Sequence, residues 1–456
     1  MKKRICVCVC IVALAGAGCS RIAGLLPKGK EAAQTNIATG DVVAETTDAA
    51  QTEPPETEAP KPAKPEAVKV KGIYISAFVA GTRSRIDEIV EEIDHSQINA
   101  LVIDVKNDDG RVTFPMDSPL VTQLGSVKTT ISDIDGLMEK LKGHDIYTIA
   151  RIVAFRDPYL PEQRPEWGLQ LADGSLYRDK KGSAWINPYK KEVWDYLVEI
   201  CRKAGEAGFD EVQFDYIRFC TERGIDEVVY DEADVKGRSQ TQVITEFIDY
   251  AYAQLKDEIY VSADVFGTII TSDVDAGLVG QDYSDMASAL DYICPMVYPS
   301  HYSNGSFGIS RPDLEPYQTI FAAMQASWKD LEDAKAQAAA ASGGAAAGGS
   351  GSGSGSAAGE SAGQSTAAGD GSAGATADGD GSGSDGTGGG GVPRSPRAIV
   401  RPWLQDFTAS YLGSGNYREY GPDEINAEIQ AVYDAGYDEW LLWDASCNYS
   451  WEGLRE

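Results

Sequence analysis

A closed (β/α)8 barrel is the fold class that this 456-residue sequence predicts. Two observations carry it. Eight short segments rich in apolar, β-branched and aromatic residues recur along the chain, most of them separated by stretches whose apolar residues repeat at helical spacing. Several of these segments also end in a polar residue, and strand–helix alternation of this kind is the sequence signature of parallel βα units. In a closed barrel every strand ends at one shared mouth, so polar strand ends are the candidate site residues.

The strands read as Gly72–Ala80, Ala100–Lys106, Tyr147–Phe155, Glu211–Phe219, Tyr260–Thr268, Tyr292–Pro299, Ala398–Phe407 and Asp438–Ala445. Between them, Arg85–Ser96 carries Ile86, Ile89, Val90 and Ile93 at helical spacing, and Lys191–Ala207 carries Val193, Trp194, Leu197, Val198, Ile200 and Cys201. Thr241–Lys256 and Asp423–Ala435 follow the same rule. Gly143, Gly208 and Gly436 stand where a helix should stop before the next strand. A full helix after strand eight is not expected, and the Trp451–Glu456 tail or the N-terminal tether is expected to cover that gap.

Two segments fall outside this rhythm. Residues 1–19 resemble a bacterial export signal: Lys2-Lys3-Arg4, then apolar Ile5 to Leu14, then a lipobox-like Ala15-Gly16-Ala17-Gly18-Cys19 with Gly16 where Leu is usual. Cys19 is the expected lipid attachment point. Residues 20–70, rich in Ala, Thr, Glu and Pro, read as a disordered tether. The barrel is expected over 71–456, outside the cytoplasm, interrupted at about 342–391 by a Gly/Ser/Ala/Asp insert between helix six and strand seven. The remainder, Ala398–Glu456, holds two strands and one helix, too little for a separate core. Within the insert, Asp378-Gly379-Asp380 mimics the start of a calcium loop, but Gly389 occupies the twelfth position, where Glu is needed.

Composition excludes several classes. A net charge of -30 and a pI near 4.4 disfavour nucleic acid and anionic lipid surfaces. His95, His144 and His301 are the 3 histidines and none is near another in sequence, so no histidine zinc site is expected. Cys201, Cys220, Cys294 and Cys447 are scattered singly and read as small buried hydrophobes. No phosphate loop, dinucleotide fingerprint, GxSxG elbow or HExxH is present. No cofactor or metal is expected.

Alternation sorts each strand into an inward and an outward face. In strand four Gln213 and Asp215 share the inward face, and in strand five Asp264 gives a second acid at matching height. Strand two offers Asp104 and Lys106, strand three Arg151, strand six Tyr298, strand seven Gln405, and strand eight Trp443 and Asp444. Asp406 points outward if Gln405 points in. Acids, arginines and aromatics around one mouth suit a sugar. Glycoside hydrolysis needs two carboxyl groups flanking the scissile bond, one protonating the leaving oxygen and one acting as nucleophile or base. Asp215 and Asp264 are the expected pair, with Arg218 keeping one of them ionised and Trp403, Trp443, Tyr298 and Tyr302 as stacking faces. Plainer roles stand beside these: Asp104 and Asp444 as turn caps, Lys106 and Arg151 as neutralising charges, Trp443 as core. A non-catalytic glycan-binding or wall-organising protein is the competing class, and an ester- or lyase-type carbohydrate enzyme a third.

Gly72-Ile73-Tyr74-Ile75-Ser76, Ala100 through Lys106, Gln213-Phe214-Asp215-Tyr216-Ile217-Arg218-Phe219 and Pro295-Met296-Val297-Tyr298-Pro299 together resemble the bacterial family described as putative glycoside hydrolase domains, barrel proteins distantly related to the α-amylase clan. The resemblance covers about Lys71 to Trp451 without the insert. It implies a glycosidase in which Asp215 is the nucleophile and Asp264 the proton donor, although amylases carry Glu at the latter place. The expectation is therefore a surface-tethered enzyme hydrolysing an extracellular or cell-wall polysaccharide, with Asp104, Lys106, Arg151, Arg218, Tyr298, Gln405, Trp443 and Asp444 contacting or supporting the substrate.

Overall fold

The computed structural model describes residues 64, 66–347 and 394–455. Residues 1–19, almost all of 20–70 and residues 348–393 lie outside the described residues, and with them Cys19 and most of the insert. Eight parallel strand positions close into a barrel. They are β1 (Lys71–Ile75), β2 (Ala100–Lys106), β3 (Tyr147–Val153), β4 (Glu211–Asp215), β5 (Tyr260–Phe266), β6 (Tyr292–Met296), β7 in two pieces (Ile399–Val400 and Trp403–Gln405) and β8 (Trp440–Trp443). Ile73 of β1 lies beside Leu442 of β8, which closes the ring. Every residue of β2 and β3 is buried, as strands covered by helices on one side and barrel interior on the other must be.

The main helices follow the strands in turn: α1 (Arg83–Ile93), α2 (Ile134–Gly143), α3 (Lys191–Glu206), α4 (Gln240–Leu255), α5 (Tyr283–Ala287), α6 (Pro316–Ala347) and α7 (Pro422–Asp434). Each buries the stripe its periodicity marks; α1, for example, buries Ile86, Ile89, Val90 and Ile93. After β8 a single 3-10 turn, Trp451–Gly453, stands where an eighth helix would pack. Buried Leu454 follows it, with its carbonyl accepting from Gln97 N at 2.8 Å. α6 runs past Ser342 to Ala347, so the helix extends into the segment expected to be linker.

Seven of the eight strands end two to five residues before the expected residue, β2 alone ending where expected, and the stops of β1, β4 and β6 and a break within β7 have local reasons. β1 stops at Ile75 because Ser76 caps a helical turn, its hydroxyl accepting from Val79 N at 3.4 Å. β4 stops at Asp215 because Tyr216 takes φ +49°. β6 stops at Met296, and Pro299 then opens a 3-10 turn. β7 is broken at Arg401-Pro402, where proline offers no N–H to the ladder. Gly208 and Gly436 adopt φ +104° and +91°, as helix stops should, whereas Gly143 ends α2 inside the helix and Asp145 takes the left-handed turn at φ +54°.

The N-terminal half of the barrel interior holds a charged layer. Arg401 Nη1 donates to both Glu211 oxygens at 3.0 Å, and its Nε donates to Glu439 Oε2 at 2.9 Å. Tyr147 and Ser262 hydroxyls also donate to Glu211, at 3.1 and 2.5 Å. These residues come from β3, β4, β5, the β7 break and the start of β8, so the layer ties opposite walls together. Burial pushes Glu211 above the ordinary carboxylate range against the pull of Arg401. Removing Arg401 leaves two buried carboxylates without a counter-charge. Arg401→Met should lower unfolding stability at pH 7 by about 3–5 kcal/mol in urea titration; a loss under 1 kcal/mol would show that the layer does not hold the walls together.

α7 docks on β7 through Glu428, whose Oε2 accepts from Gln405 N at 2.9 Å and whose Oε1 accepts from Tyr420 OH at 2.6 Å. Burial raises its pKa from 4.5 to about 8. The folded state keeps a proton that the unfolded chain has lost, so the associated stability is complete below pH 4.5 and is lost as pH rises to about 8. The unfolding midpoint should fall across that window, and Glu428→Gln should flatten the fall. An unchanged slope in the variant would locate the effect elsewhere.

Candidate active site

The C-terminal ends of β1, β2, β4 and β8 converge on the guanidinium of Arg151 from β3, which is 1% exposed. Asp104 of β2 and Arg151 of β3 are register partners. Arg151 Nη1 donates to Asp104 Oδ1 at 2.6 Å and to Asp108 Oδ2 at 3.1 Å. Its Nη2 and Nε donate to Asp215 Oδ2 at 2.6 and 2.9 Å. Such a fork is what a planar guanidinium offers and a lysine does not. Tyr74, at the end of β1, donates its hydroxyl to Asp104 Oδ2 at 2.7 Å and stacks on Trp443 at 4.2 Å between ring centroids. Arg156 completes the ring by donating to Asp108 Oδ1 at 2.7 Å.

Asp215 ends β4, and its other oxygen, Oδ1, accepts from Tyr216 N at 2.6 Å. The left-handed Tyr216 turns the chain at that point, at a cost of roughly 1–2 kcal/mol. Asp264 lies across from it: Gln213 and Phe214 of β4 pair with Ser262 and Ala263 of β5, which places the two acids next in the ladder. Asp264 is 2% exposed. Trp403 Nε1 donates to its Oδ1 at 2.6 Å, and Oδ2 has no hydrogen-bond partner among the described residues.

The two acids thus stand in opposite environments. Burial, and then the neighbouring Asp215 carboxylate, push Asp264 well above the ordinary carboxylate range, against the indole N–H of Trp403. Asp215 faces a guanidinium. Burial also raises Asp104, whereas Asp108 is brought down despite burial by Arg151 and Arg156. Tyr298 is raised by burial and then by Asp264 and Asp215, and so faces both acids. Burial lowers His301 to about 4, which leaves it neutral at pH 7.

Of the residues expected at the mouth, Asp104, Arg151, Asp215, Asp264, Tyr298 and Trp443 come together there. Others do not act as expected. Arg218 does not pair with Asp215, since Arg151 holds that place; Arg218 lies in the loop beyond β4 and donates from Nη1 to Phe219 O at 2.9 Å. Lys106 is buried and bound to Asp157 and Val153 O, both at 2.7 Å, beyond reach of a substrate. Gln405 is committed to Ser300, Asp313 and Phe407 and braces the loops after β6 and β7. Asp444 caps its own turn through Ser446. Trp403 serves Asp264 as a donor and is buried, so it is no stacking face. Asp406 bonds Ser450. Tyr74, Asp108 and Arg156 were not anticipated. Tyr74 lies in the quoted Gly72–Ser76 run, but the expected strand Gly72–Ala80 put it near the strand start, and only the early stop at Ile75 brings it to the mouth.

Cys201, Cys220, Cys294 and Cys447 are all buried and unpaired. Among the described residues no cluster of three or more His, Cys, Asp or Glu is arranged to hold a metal, and no helix is long and apolar enough to cross a membrane.

Residues 72–340 and 391–449 match the family described as "Putative glycosyl hydrolase domain", and the chain belongs to that family, which places it in the glycosidase class. No curated protein matches the sequence. Among solved structures, the PgaB (BpsB) glycoside hydrolase domain from Bordetella bronchiseptica is similar in fold, with TM-score 0.50 and 10% identity over 83% of this chain and 94% of that one. A hypothetical protein from Ruminiclostridium thermocellum is 34% identical over 42% of this chain and 97% of its own, with TM-score 0.40. The spore cortex-lytic enzyme SleL from Bacillus megaterium is 10% identical over 86% and 76% of the two chains, with TM-score 0.41.

The Trp403 hydrogen bond favours the ionised form of Asp264. Trp403→Phe should therefore move the Asp264 titration, followed by carboxyl carbon NMR, to still higher pH. A downward move would place the bond elsewhere.

Proposed function

We propose that this chain hydrolyses glycosidic bonds of an extracellular or cell-wall polysaccharide, with Asp264 as general acid and Asp215 as nucleophile or base. The observation that carries this reading is the contrast between adjacent strand ends: one carboxyl beside a guanidinium fork, the other buried with one oxygen free of partners. A carboxyl held up by burial next to a carboxylate bound by a guanidinium suits the first to the acid role and the second to the nucleophile or base role. Asp264 Oδ2 would give its proton to the leaving glycosidic oxygen. Asp215, oriented from both sides by Arg151 and the Tyr216 amide, would meet the anomeric carbon directly or through water. Trp443, partly buried over Tyr74, offers a ring face to a sugar. Tyr298 faces both acids and is placed to bond a hydroxyl near the scissile bond.

The export-like residues 1–19 and Cys19 support a lipid-anchored location on the outer face of a bacterial membrane, where such glycans are met.

Reducing ends released from a panel of bacterial and plant polysaccharides and peptidoglycan would test the reading. Asp215→Asn should cut release by roughly a thousandfold or more. Its melting temperature should hardly change, because Arg151 keeps Asp104 and Asp108. Asp264→Asn should do likewise and abolish the alkaline limb of the pH profile. Turnover that survives in either variant would remove that residue from the chemistry, and release from no glycan would favour a binding protein.

A further inference from the structure

Arg218 is 3% exposed and lies at the mouth among Trp185, Tyr216 and Phe266, with its guanidinium carbon 5.1, 5.3 and 5.0 Å from their ring centroids. Those rings come from the loops after β3 and β4 and from the end of β5, so Arg218 flanks the acid pair. The other buried guanidiniums all have carboxylates: Arg151 has three and Arg401 two. Arg218 has none within ion-pair distance among the described residues. Of its five N–H donors, one hydrogen bond forms there, to the Phe219 carbonyl.

A desolvated cation without a counter-charge is costly, and aromatic faces offset only part of that cost. The titration directions agree: acid partners raise Arg151, Arg156 and Arg401, whereas burial lowers Arg218. With Asp264 protonated, Asp104, Asp108 and Asp215 share Arg151 and Arg156 in direct ion pairs, and none of the three is ion-paired with Arg218.

We infer that Arg218 is the anion subsite of the mouth and that the glycan it takes carries a carboxylate next to the bond being cleaved. This rests on the reading of the mouth as a glycan site. The carboxylate is that of a uronic acid or of a lactyl ether on an amino sugar. The aromatic rings would exclude water from the pair, and the free edge of the guanidinium would bind both oxygens in a fork.

Binding, measured without turnover, tests it. Calorimetry would compare oligoglucuronate and peptide-free peptidoglycan strands, each beside its carboxyl-reduced counterpart. The carboxylated member of one pair should bind roughly tenfold tighter or more. Which pair shows the preference separates uronate from lactyl ether. Arg218→Gln, checked for folding by circular dichroism, should reduce the preference below about twofold, and Arg218→Lys, which keeps charge but not the fork, should hold an intermediate value. Equal affinity within both pairs, or a preference that both variants retain in full, overturns the inference. A preference without any turnover removes the hydrolase reading alone. Hydrolysis of neutral glycans that Arg218→Gln leaves unchanged removes the anion subsite alone.

Discussion

The mouth of this barrel depends on one guanidinium. Arg151 touches Asp104, Asp108 and Asp215, which come from β2, the loop after it, and β4. Three carboxylates this close would repel one another and twist away into solvent without it. With it, each is fixed in one rotamer, and Asp215 presents a defined face. Tyr74 and Trp443 pack over the same group, with Arg151 5.7 and 5.5 Å from their rings, so apolar and polar fixation coincide. The site is rigid because its centre is a planar donor with more N–H groups than any single acid needs.

That arrangement requires a barrel whose strands do not slip. A one-residue shift would turn Asp215 or Arg151 to the helix side. The charged layer beneath opposes this: Arg401 reaches Glu211 on the far wall and Glu439 on its own side, and β3, β4 and β5, which carry Arg151, Asp215 and Asp264, are each tied into it one or two residue pairs lower. A buried ion pair adds little net stability compared with apolar packing, but it is intolerant of misplacement. Here it specifies register.

Much of this was legible in the sequence, and the parts that were not share a cause. Strand and helix positions follow from periodicity, which is local. The presence of Asp104, Arg151, Asp215, Asp264, Tyr298 and Trp443 at the mouth follows from the two-residue alternation applied to strand ends. Partnerships do not, because they run sideways between strands. Arg218 is near Asp215 in sequence, yet the turn at Tyr216 carries it to the aromatic cluster, and Arg151, 64 residues away, takes the acid instead. Lys106 looked available for the same reason; a register irregularity between Asp104 and Lys106 parts their surroundings, and Asp157 takes it. Glu211 could have been read as inward, since it shares a face with Gln213 and Asp215, but its need for Arg401 becomes visible only once the barrel is closed.

The unequal acids and the unpaired arginine follow from one economy of charge. A protein of net charge -30 would repel an anionic glycan at long range, but that repulsion is screened beyond about 8 Å at physiological ionic strength. Inside the mouth, screening is weak and the local balance decides. Protonation of Asp264 removes one negative charge from beside Asp215, which permits both acids to lie on adjacent strands. With Asp264 protonated, Asp104, Asp108 and Asp215 are balanced in number by Arg151, Arg156 and Arg218, but only the first two guanidiniums pair with them directly. Were Asp264 to ionise, the mouth would hold one more negative charge beside Asp215.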